Sequence, residues 1–157
     1  MVTYLGAKMN PKSGFPRYSF MHPLDDIKIR LAKIGLDSVE KTTFNGRRGV
    51  GWFYQTVDIQ IAWRPNADEF RNHLKLSNAG SYGIPTVAYS EESYVSEYDG
   101  CFIPARSIDE LIIKVKELKD NPDLYNLMAK RVMARAENYH IEHIAKLYQK
   151  LDKNRII

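Results

Sequence analysis

The chain has 157 residues, of which 44% are hydrophobic and 27% charged. These values are typical of one globular domain with its own core. No apolar run is long enough to span a bilayer, and the N-terminus lacks the pattern of a signal peptide, which excludes a membrane-spanning helix. The single Cys101 excludes an intrachain disulfide and fits a reducing, cytoplasmic setting. The net charge of +4 is compatible with a phosphate-bearing ligand, nucleic acid or an anionic membrane, and it selects none of them.

The first third of the chain predicts two strands and one helix. The apolar run Val2–Ala7 is typical of a strand, and Lys8–Leu24, rich in Pro, Gly and Ser, predicts a long loop. Asp25–Ile34 predicts a helix because its apolar residues fall on one face, and Gly35 is a typical C-terminal stop. Asp37–Phe44 follows as a second strand with poor apolar alternation.

The middle of the chain predicts a parallel sheet. A strand, a helix and a second strand follow one another there, which is the repeating unit of such a sheet. The predicted segments are a glycine loop at Asn45–Gly51, a helical turn at Trp52–Gln55, a strand at Val57–Trp63, a helix at Glu69–Tyr82 ended by Gly83, a strand at Thr86–Tyr89 and another at Cys101–Ile103.

The remainder of the chain is predicted to be helical. Ser107 and Glu110 form a capping box, and Asn121-Pro122 restarts a helix with the residues that the N-cap and N1 positions favour. The apolar stripes on the successive helices are Leu111, Ile112, Val115 and Leu118, then Leu124, Leu127, Met128 and Val132, and finally Ile141, Ile144, Leu147, Tyr148 and Leu151. The predicted fold is therefore an α/β, Rossmann-like open parallel sheet flanked by helices, with a helical C-terminal tail.

Polar residues stand at the joints of the central strand–helix–strand unit. In open α/β sheets, ligands bind outside the carboxyl ends of the strands. Arg64 follows the first strand there, and its fork suits phosphate oxygens. Lys75 and Asn78 lie three residues apart on the helix and share one face, where helix amides and the lysine would together hold an anion. A surface arginine and a solvated helix face remain the alternatives.

Acidic and aromatic residues follow the second strand of this unit. Glu91 and Glu92 would accept hydrogen bonds from hydroxyl groups of a nucleotide or sugar, or they form an exposed acidic turn. Tyr94 would stack on a base or sugar, or it packs at the edge of the core. Gly6, after the first strand, would allow close backbone approach to a ligand or is a simple turn glycine. A ligand with both phosphate and hydroxyl groups fits this set of side chains.

Two further segments give weaker signals. NGRRGVGWFY carries Arg47 and Arg48 beside aromatic residues and suits single-stranded nucleic acid, although it matches neither the Walker loop nor the dinucleotide fingerprint. Basic residues elsewhere are dispersed among acids, so we expect no nucleic-acid partner. His140 and His143 resemble half of a metal site, but no third ligand is near in sequence, so we expect no metal.

From Val57 to about Tyr148 the chain resembles the donor-binding, C-terminal Rossmann-like domain of GT-B glycosyltransferases. The resemblance rests on DIQIAWRP, KLSNAGSYGIPTVAY, an acidic loop, DGCFIPA and the helical run SIDELIIKVKELKDNPDLYNLMAKRVMARA, which occur in the order of such domains. Phe70 and Asn78 stand where the family usually carries a pair of glutamates. The usual double glycine is also replaced, so the pattern resembles a divergent branch with K-x-x-N-A, G-x-P and E-x-x-Y.

This resemblance implies a function and roles for individual residues. Lys75 would contact the diphosphate of a nucleotide-diphospho-sugar, Asn78 would occupy the ribose-binding position, and Glu91, Glu92 and Tyr94 would lie in the phosphate-binding loop. The nucleotide sugar is then the donor substrate, and no separate cofactor is implied. The acceptor would be a glycan, lipid or protein.

The resemblance also implies that the chain is half of a GT-B enzyme. A complete enzyme has two Rossmann-like domains, whereas residues 1–157 have room for one, so an N-terminal domain or a partner chain is expected. Whether the isolated chain turns over is left open. The alternative is a non-catalytic nucleotide- or sugar-binding module of the same fold.

Overall fold

The computed structural model describes residues 2–4, 23–39, 41, 44–65 and 72–153. Within these ranges strands alternate with helices and three helices end the chain, which confirms the predicted α/β class. In chain order the elements are β1 Val2–Tyr4, α1 Pro23–Lys33, β2 Asp37–Val39, α2 Gly46–Tyr54, β3 Ile59–Ala62, α3 Leu74–Gly80, β4 Thr86–Tyr89, α4 Glu92–Tyr98, β5 Ile103–Ala105, α5 Ile108–Asp120, α6 Pro122–Glu137 and α7 Ile141–Lys153.

The five strands form one parallel sheet in the order β2-β1-β3-β4-β5. The register pairs Gln60 in β3 with Tyr4 on one side and Thr86 on the other. All four residues of β3 are buried, as expected for a strand covered on both faces of its sheet. Strand β2 pairs with one edge of β1, and the next strand in the sequence, β3, pairs with the other edge of β1. The topological switch point, where α/β sheets bind ligands, therefore lies between β1 and β3.

Alternate side chains of the central strands enter cores on opposite faces of the sheet. Ile59 and Ile61 belong to a cluster with residues of α1 and α5, whereas Ala62 belongs to a cluster with residues of α3 and α4. Helix α6 contributes to both, because Met128 lies in the first cluster and Val132 in the second. A third cluster joins α2 to α3. The sheet is thus held between two helical layers, and its carboxyl edge carries the connecting segments.

The predicted helix signals are confirmed where the structure describes them. Ser107 Oγ accepts a hydrogen bond from the amide of Glu110 at 3.1 Å, and Asn121 Oδ1 accepts one from Leu124 at 3.0 Å. Gly35 follows α1 with a φ of 73°, a backbone conformation that favours glycine. The predicted stripe on α5 is buried in full. These signals could be predicted because each lies within a single short segment of the chain.

Two helices occur where the sequence predicted other structure. Residues 46–54 form α2, not a glycine loop followed by a single turn. Phe53 and Tyr54 are buried, so tertiary packing outweighs the poor helix propensity of the glycines. Residues 92–98 form α4, not an acidic loop. Tyr94 and Tyr98 both lie in the core, and their spacing of four gives α4 its buried face.

A glycine in KLSNAGSYGIP allows two helices to come into close contact. A Cβ on Gly80 of α3 would lie 2.8 Å from both Ala136 Cβ and the carbonyl oxygen of Val132 in α6. Gly80 therefore sets how near these two helices come.

Helix α7 has an apolar face that is largely exposed. Ile141 is 71% exposed, Leu147 56% and Tyr148 69%. The predicted stripe is therefore present, but the part of the chain that the structure describes does not bury it. None of the described helices is both long enough and apolar enough to cross a bilayer.

Several strand and loop boundaries differ from the sequence prediction. Strand β2 ends at Val39, and β5 begins at Ile103, two residues later than predicted. Predictions for residues 5–22, including Gly6 and the long loop, and for residues 66–71, including the start of the predicted Glu69 helix, lie outside the described residues.

Candidate functional site

Arg64 and Glu91 meet at the carboxyl ends of β3 and β4. Arg64 Nε donates to Glu91 Oε1 and Nη2 donates to Oε2, both at 2.7 Å, so the pair is bidentate. Arg64 Nη2 also donates to the hydroxyl of Tyr94 at 2.6 Å, and the guanidinium lies 5.4 Å from the centre of the Tyr94 ring. The side chains of Arg64 and Glu91 are only 20% and 4% exposed. Two positions that are 27 residues apart in sequence thus form one bidentate ion pair.

This pairing limits what each residue offers to a ligand. The fork that was predicted to bind phosphate oxygens already holds the Glu91 carboxylate, which has the same planar geometry. Tyr94 is fully buried, so it packs in the core and its ring has no free face for stacking. Glu92 is exposed in the first turn of α4, where its negative charge stabilises the positive end of the helix dipole.

Lys75 lies in the first turn of α3, on the connection that follows β3. Its carbonyl oxygen accepts a hydrogen bond from the side-chain amide of buried Gln60 at 3.0 Å, which fixes the helix over β3. Neighbouring helix amides are engaged within the chain, because Leu74 N donates to Asn72 Oδ1 and Ser77 N donates to the carbonyl of His73. These two amides are therefore not available to the anion that the sequence predicted at this position.

Asn78 faces a groove between α3 and the end of α6. The groove has a volume of about 700 Å³, which is in the range of small-molecule sites. Lys75, Arg64, Glu91 and Tyr94 do not line it. The lining residues are Arg47, His73, Leu74, Ser77, Asn78, Ser81, Met133, Ala136, Glu137, Tyr139, His140 and Ile141. The predicted site residues are therefore divided between this groove and the Arg64–Glu91 pair.

A polar cluster that sequence reasoning missed adjoins the groove through His73 and Tyr139. Tyr139 donates its hydroxyl to Glu97 Oε2 at 2.5 Å, and Arg135 Nη2 donates to the same oxygen at 3.1 Å. His73 lies beside it, with its ring 4.6 Å from that of Tyr139. The only sequence signal was the spacing of four between Arg135 and Tyr139. Their carboxylate partner is on another helix, which no local pattern reveals.

Hydrogen bonding and charge shift two pKa values within this cluster. The hydroxyl of Tyr139 and the nearby His73 and Arg135 lower the pKa of Glu97 below its ordinary value of 4.5. Burial and the hydrogen bond to Glu97 raise the pKa of Tyr139 from 10.0 to about 12. Both shifts keep Glu97 ionised and Tyr139 protonated near neutral pH.

Three buried hydrogen bonds between side chains tie β3 and α3 to their neighbours. Gln60 Oε1 accepts from the hydroxyl of Tyr54 at 3.0 Å, while its amide nitrogen also donates to Thr86 Oγ1 at 3.3 Å. On the far side of α3, Tyr98 donates its hydroxyl to Ser77 Oγ at 2.8 Å. A glutamine inside the apolar run DIQIA was a readable signal of such a contact, since a buried amide needs partners.

The histidines form no metal site in the described part of the chain. His143 Nε2 lies 3.5 Å from Glu137 Oε1, and His140 Nδ1 accepts a hydrogen bond from the amide of Glu142 at 3.4 Å. The described residues contain no group of three His, Cys, Asp or Glu side chains placed to hold a metal ion.

Comparison with known proteins assigns no family. No protein-family model matches the chain, and the curated proteins include no similar relative. Any function must therefore be argued from the residues and geometry described above.

Proposed function

We propose that this chain is the donor-binding half of a glycosyltransferase and holds a nucleotide-diphospho-sugar at the carboxyl edge of the sheet. The observation that carries the proposal is the β3–α3–β4 unit. It brings Lys75 and the Arg64–Glu91 pair onto successive connections at the ligand-binding edge of a parallel sheet. The order of motifs along the chain supports the same assignment.

In this proposal Lys75 supplies the positive charge for the diphosphate. Arg64 is neutralised by Glu91, so it acts mainly by fixing the shape of the rim beside β3. A fixed cation at this place would stabilise the negative charge that develops on the nucleotide diphosphate as the glycosidic bond breaks. The acceptor, which is a glycan, lipid or protein, would bind a second domain or a partner chain.

A non-catalytic binding module of the same fold is the second candidate. The internal engagement of Arg64 by Glu91 favours it, because a transferase gains from cations that are available to the leaving group. Incubation of the isolated chain with sugar nucleotides tests the enzymatic alternative. Hydrolysis or transfer supports an enzyme, whereas tight binding without turnover fits both candidates and calls for the same assay with the second domain or partner chain present.

The donor site is tested by calorimetric titration of the chain with UDP, GDP, ADP and their sugar conjugates. One diphosphate should bind saturably, and Lys75→Ala should weaken its binding about 10- to 100-fold, as expected for a lost hydrogen bond between charged groups. Lys130→Ala, which removes an exposed lysine on α6, is the matched control and should bind like the wild type. Equal affinities for Lys75→Ala and the wild type would overturn the assignment of Lys75.

A further inference from the structure

One face of α2 forms a second depression, separate from the donor site. Its volume is about 450 Å³, and it is lined by Lys41, Asn45, Arg48, Gly49, Trp52, Phe53 and Thr56. The helical positions repeat at intervals of three and four residues, which places them on a single face. The sequence prediction had assigned most of these residues to a loop. Helix α2 instead aligns them in a fixed order.

Trp52 is the aromatic residue of this face, and it is 77% exposed. The core does not need it, because the neighbouring Phe53 and Tyr54 supply the buried side of the helix. The other tryptophan, Trp63, is half-buried and packs edge-on against Tyr89. An indole held on a rigid helix with its ring exposed is a stacking platform for a planar group.

The same face is cationic. Arg48 is exposed and lines the depression, and α2 contains no acidic residue. Arg47 is also exposed, but it lines the groove between α3 and α6. Lys41 Nζ lies 5.5 Å from the ring centre of Phe44 and 5.3 Å from that of Phe53, which holds the ammonium group at the depression. Within the described ranges, none of these three cations is paired with a carboxylate.

The hydrogen-bonding groups that line the depression limit the kinds of ligand that can bind there. Neutral sugars bind through hydroxyl groups, which need acceptor atoms, and among the described residues that line the depression Asn45 alone carries a carboxylate or amide oxygen in its side chain. The hydroxyl of Thr56 is already donated to the carbonyl oxygen of Phe53 at 2.7 Å. What the face offers is one exposed ring beside cations, which suits a ligand that combines a planar ring with an anion.

We propose that this face of α2 binds a nucleotide unit, with the base stacked on Trp52 and the phosphate held by Arg48 and Lys41. Base stacking on an aromatic side chain next to basic residues is a recurring mode of single-strand binding. A free nucleotide and a single strand present the same chemistry. The proposal does not rest on the donor site, because Lys75, Arg64 and Glu91 do not line this depression.

The fluorescence of Trp52 tests the proposal directly. The chain has two tryptophans, so Trp63→Phe leaves Trp52 as the only one. That variant is titrated with AMP, UMP and a short oligouridylate. We expect saturable quenching of the Trp52 fluorescence, with an affinity that falls as the salt concentration is raised. Quenching by mononucleotides would identify the ligand as a free nucleotide, and quenching by the oligonucleotide alone would identify it as a single strand. Both results support the site.

Two variants distinguish a specific binding site from nonspecific electrostatic attraction. Arg48→Gln in the same background should weaken binding about 10-fold, as expected for a lost charged hydrogen bond. Arg131→Gln, which removes an exposed charge on α6, should not. Equal losses in the two variants would overturn the site. The absence of quenching by every nucleotide probe would also overturn it, as would quenching by an anionic polysaccharide alone, which would assign a glycan instead.

Discussion

At the scale of single residues, the Arg64–Glu91 pair shows how folding changes the role of a predicted ligand-binding side chain. From the sequence, each residue was a candidate for contact with a substrate. In the structure each is the other's principal partner, and Glu91 is almost inaccessible to water. Removing one member of such a pair leaves a charge without compensation, which costs more than the intact pair contributes.

Replacement of Glu91 by glutamine is therefore expected to destabilise the protein strongly. The variant keeps the shape of the side chain but leaves the Arg64 guanidinium without its carboxylate, so the free energy of unfolding should fall by about 3 kcal/mol. Urea denaturation monitored by circular dichroism measures the change. The double variant Glu91→Gln with Arg64→Met should recover part of the loss. A double variant that is less stable than Glu91→Gln would contradict this account.

The Glu97–Tyr139 contact predicts how stability depends on pH. The pKa of Glu97 is lowered below 4.5, so its contribution is complete above pH 4.5 and is lost as the pH falls through the lowered pKa. The pKa of Tyr139 is raised from 10.0 to about 12, so its contribution is present below pH 10 and is lost as the pH rises toward 12.

Tyr139→Phe should weaken both of these pH dependences. The variant removes the titrating hydroxyl and also the main hydrogen bond that lowers the pKa of Glu97. The measurement is the free energy of unfolding of wild type and variant from urea titrations at a series of pH values. The difference between their free energies of unfolding should become smaller at both low and high pH. Parallel curves across the whole range would show that the contact does not titrate as described.

At the scale of elements, the contact between α3 and α6 depends on the absence of one side chain. Gly80→Ala would place a methyl group 2.8 Å from the backbone carbonyl of Val132, so the helices must separate. We expect a loss of about 1–3 kcal/mol in the free energy of unfolding. Gly49→Ala is the matched control in α2, because its Cβ would meet only ordinary contacts, the nearest at 3.6 Å.

The two glycine variants should differ in stability, because only Gly80→Ala should be destabilised. Alanine is favoured over glycine inside a helix by about 0.5–1 kcal/mol, so Gly49→Ala should be neutral or slightly stabilising. Thermal unfolding of both variants beside the wild type tests this contrast. A Gly80→Ala protein as stable as the Gly49→Ala protein would mean that α3 and α6 are not in close contact.

The helices also show which parts of the fold were readable in advance. Helix α5 was predicted from its cap and its stripe of apolar residues, because both signals lie within the segment itself. Helix α2 was not, since its glycines oppose helix formation and its support comes from the packing of Phe53 against Phe44 and of Tyr54 against Tyr82. The same holds for the site. Residue types at strand ends were predictable, but the closure of Arg64 onto Glu91 depends on two strands becoming neighbours.

At the scale of the whole molecule, the strand order places the ligand crevice beside β3. In the order β2-β1-β3-β4-β5 the direction of winding changes between β1 and β3, so a ligand should contact the segment after β3 more closely than the segment after β5. Hydrogen exchange with and without saturating nucleotide diphosphate should slow in peptides that cover residues 63–65 and 72–77. Protection confined to residues 106–107 would place the crevice elsewhere and contradict the proposed site.

Helix α6 and Tyr139, which follows its C-cap, contact the crossover from β3 to α3 at both ends of the crossover. The hydroxyl of Tyr125 donates to the carbonyl of Asp58 just before β3, and Tyr139 packs on His73 just before α3. On the ribosome, α3 therefore emerges well before the helix that fixes it. At roughly 5–20 residues per second the nascent chain waits several seconds for that contact. During that time the side of α3 that packs on α6 in the finished fold lacks its partner helix.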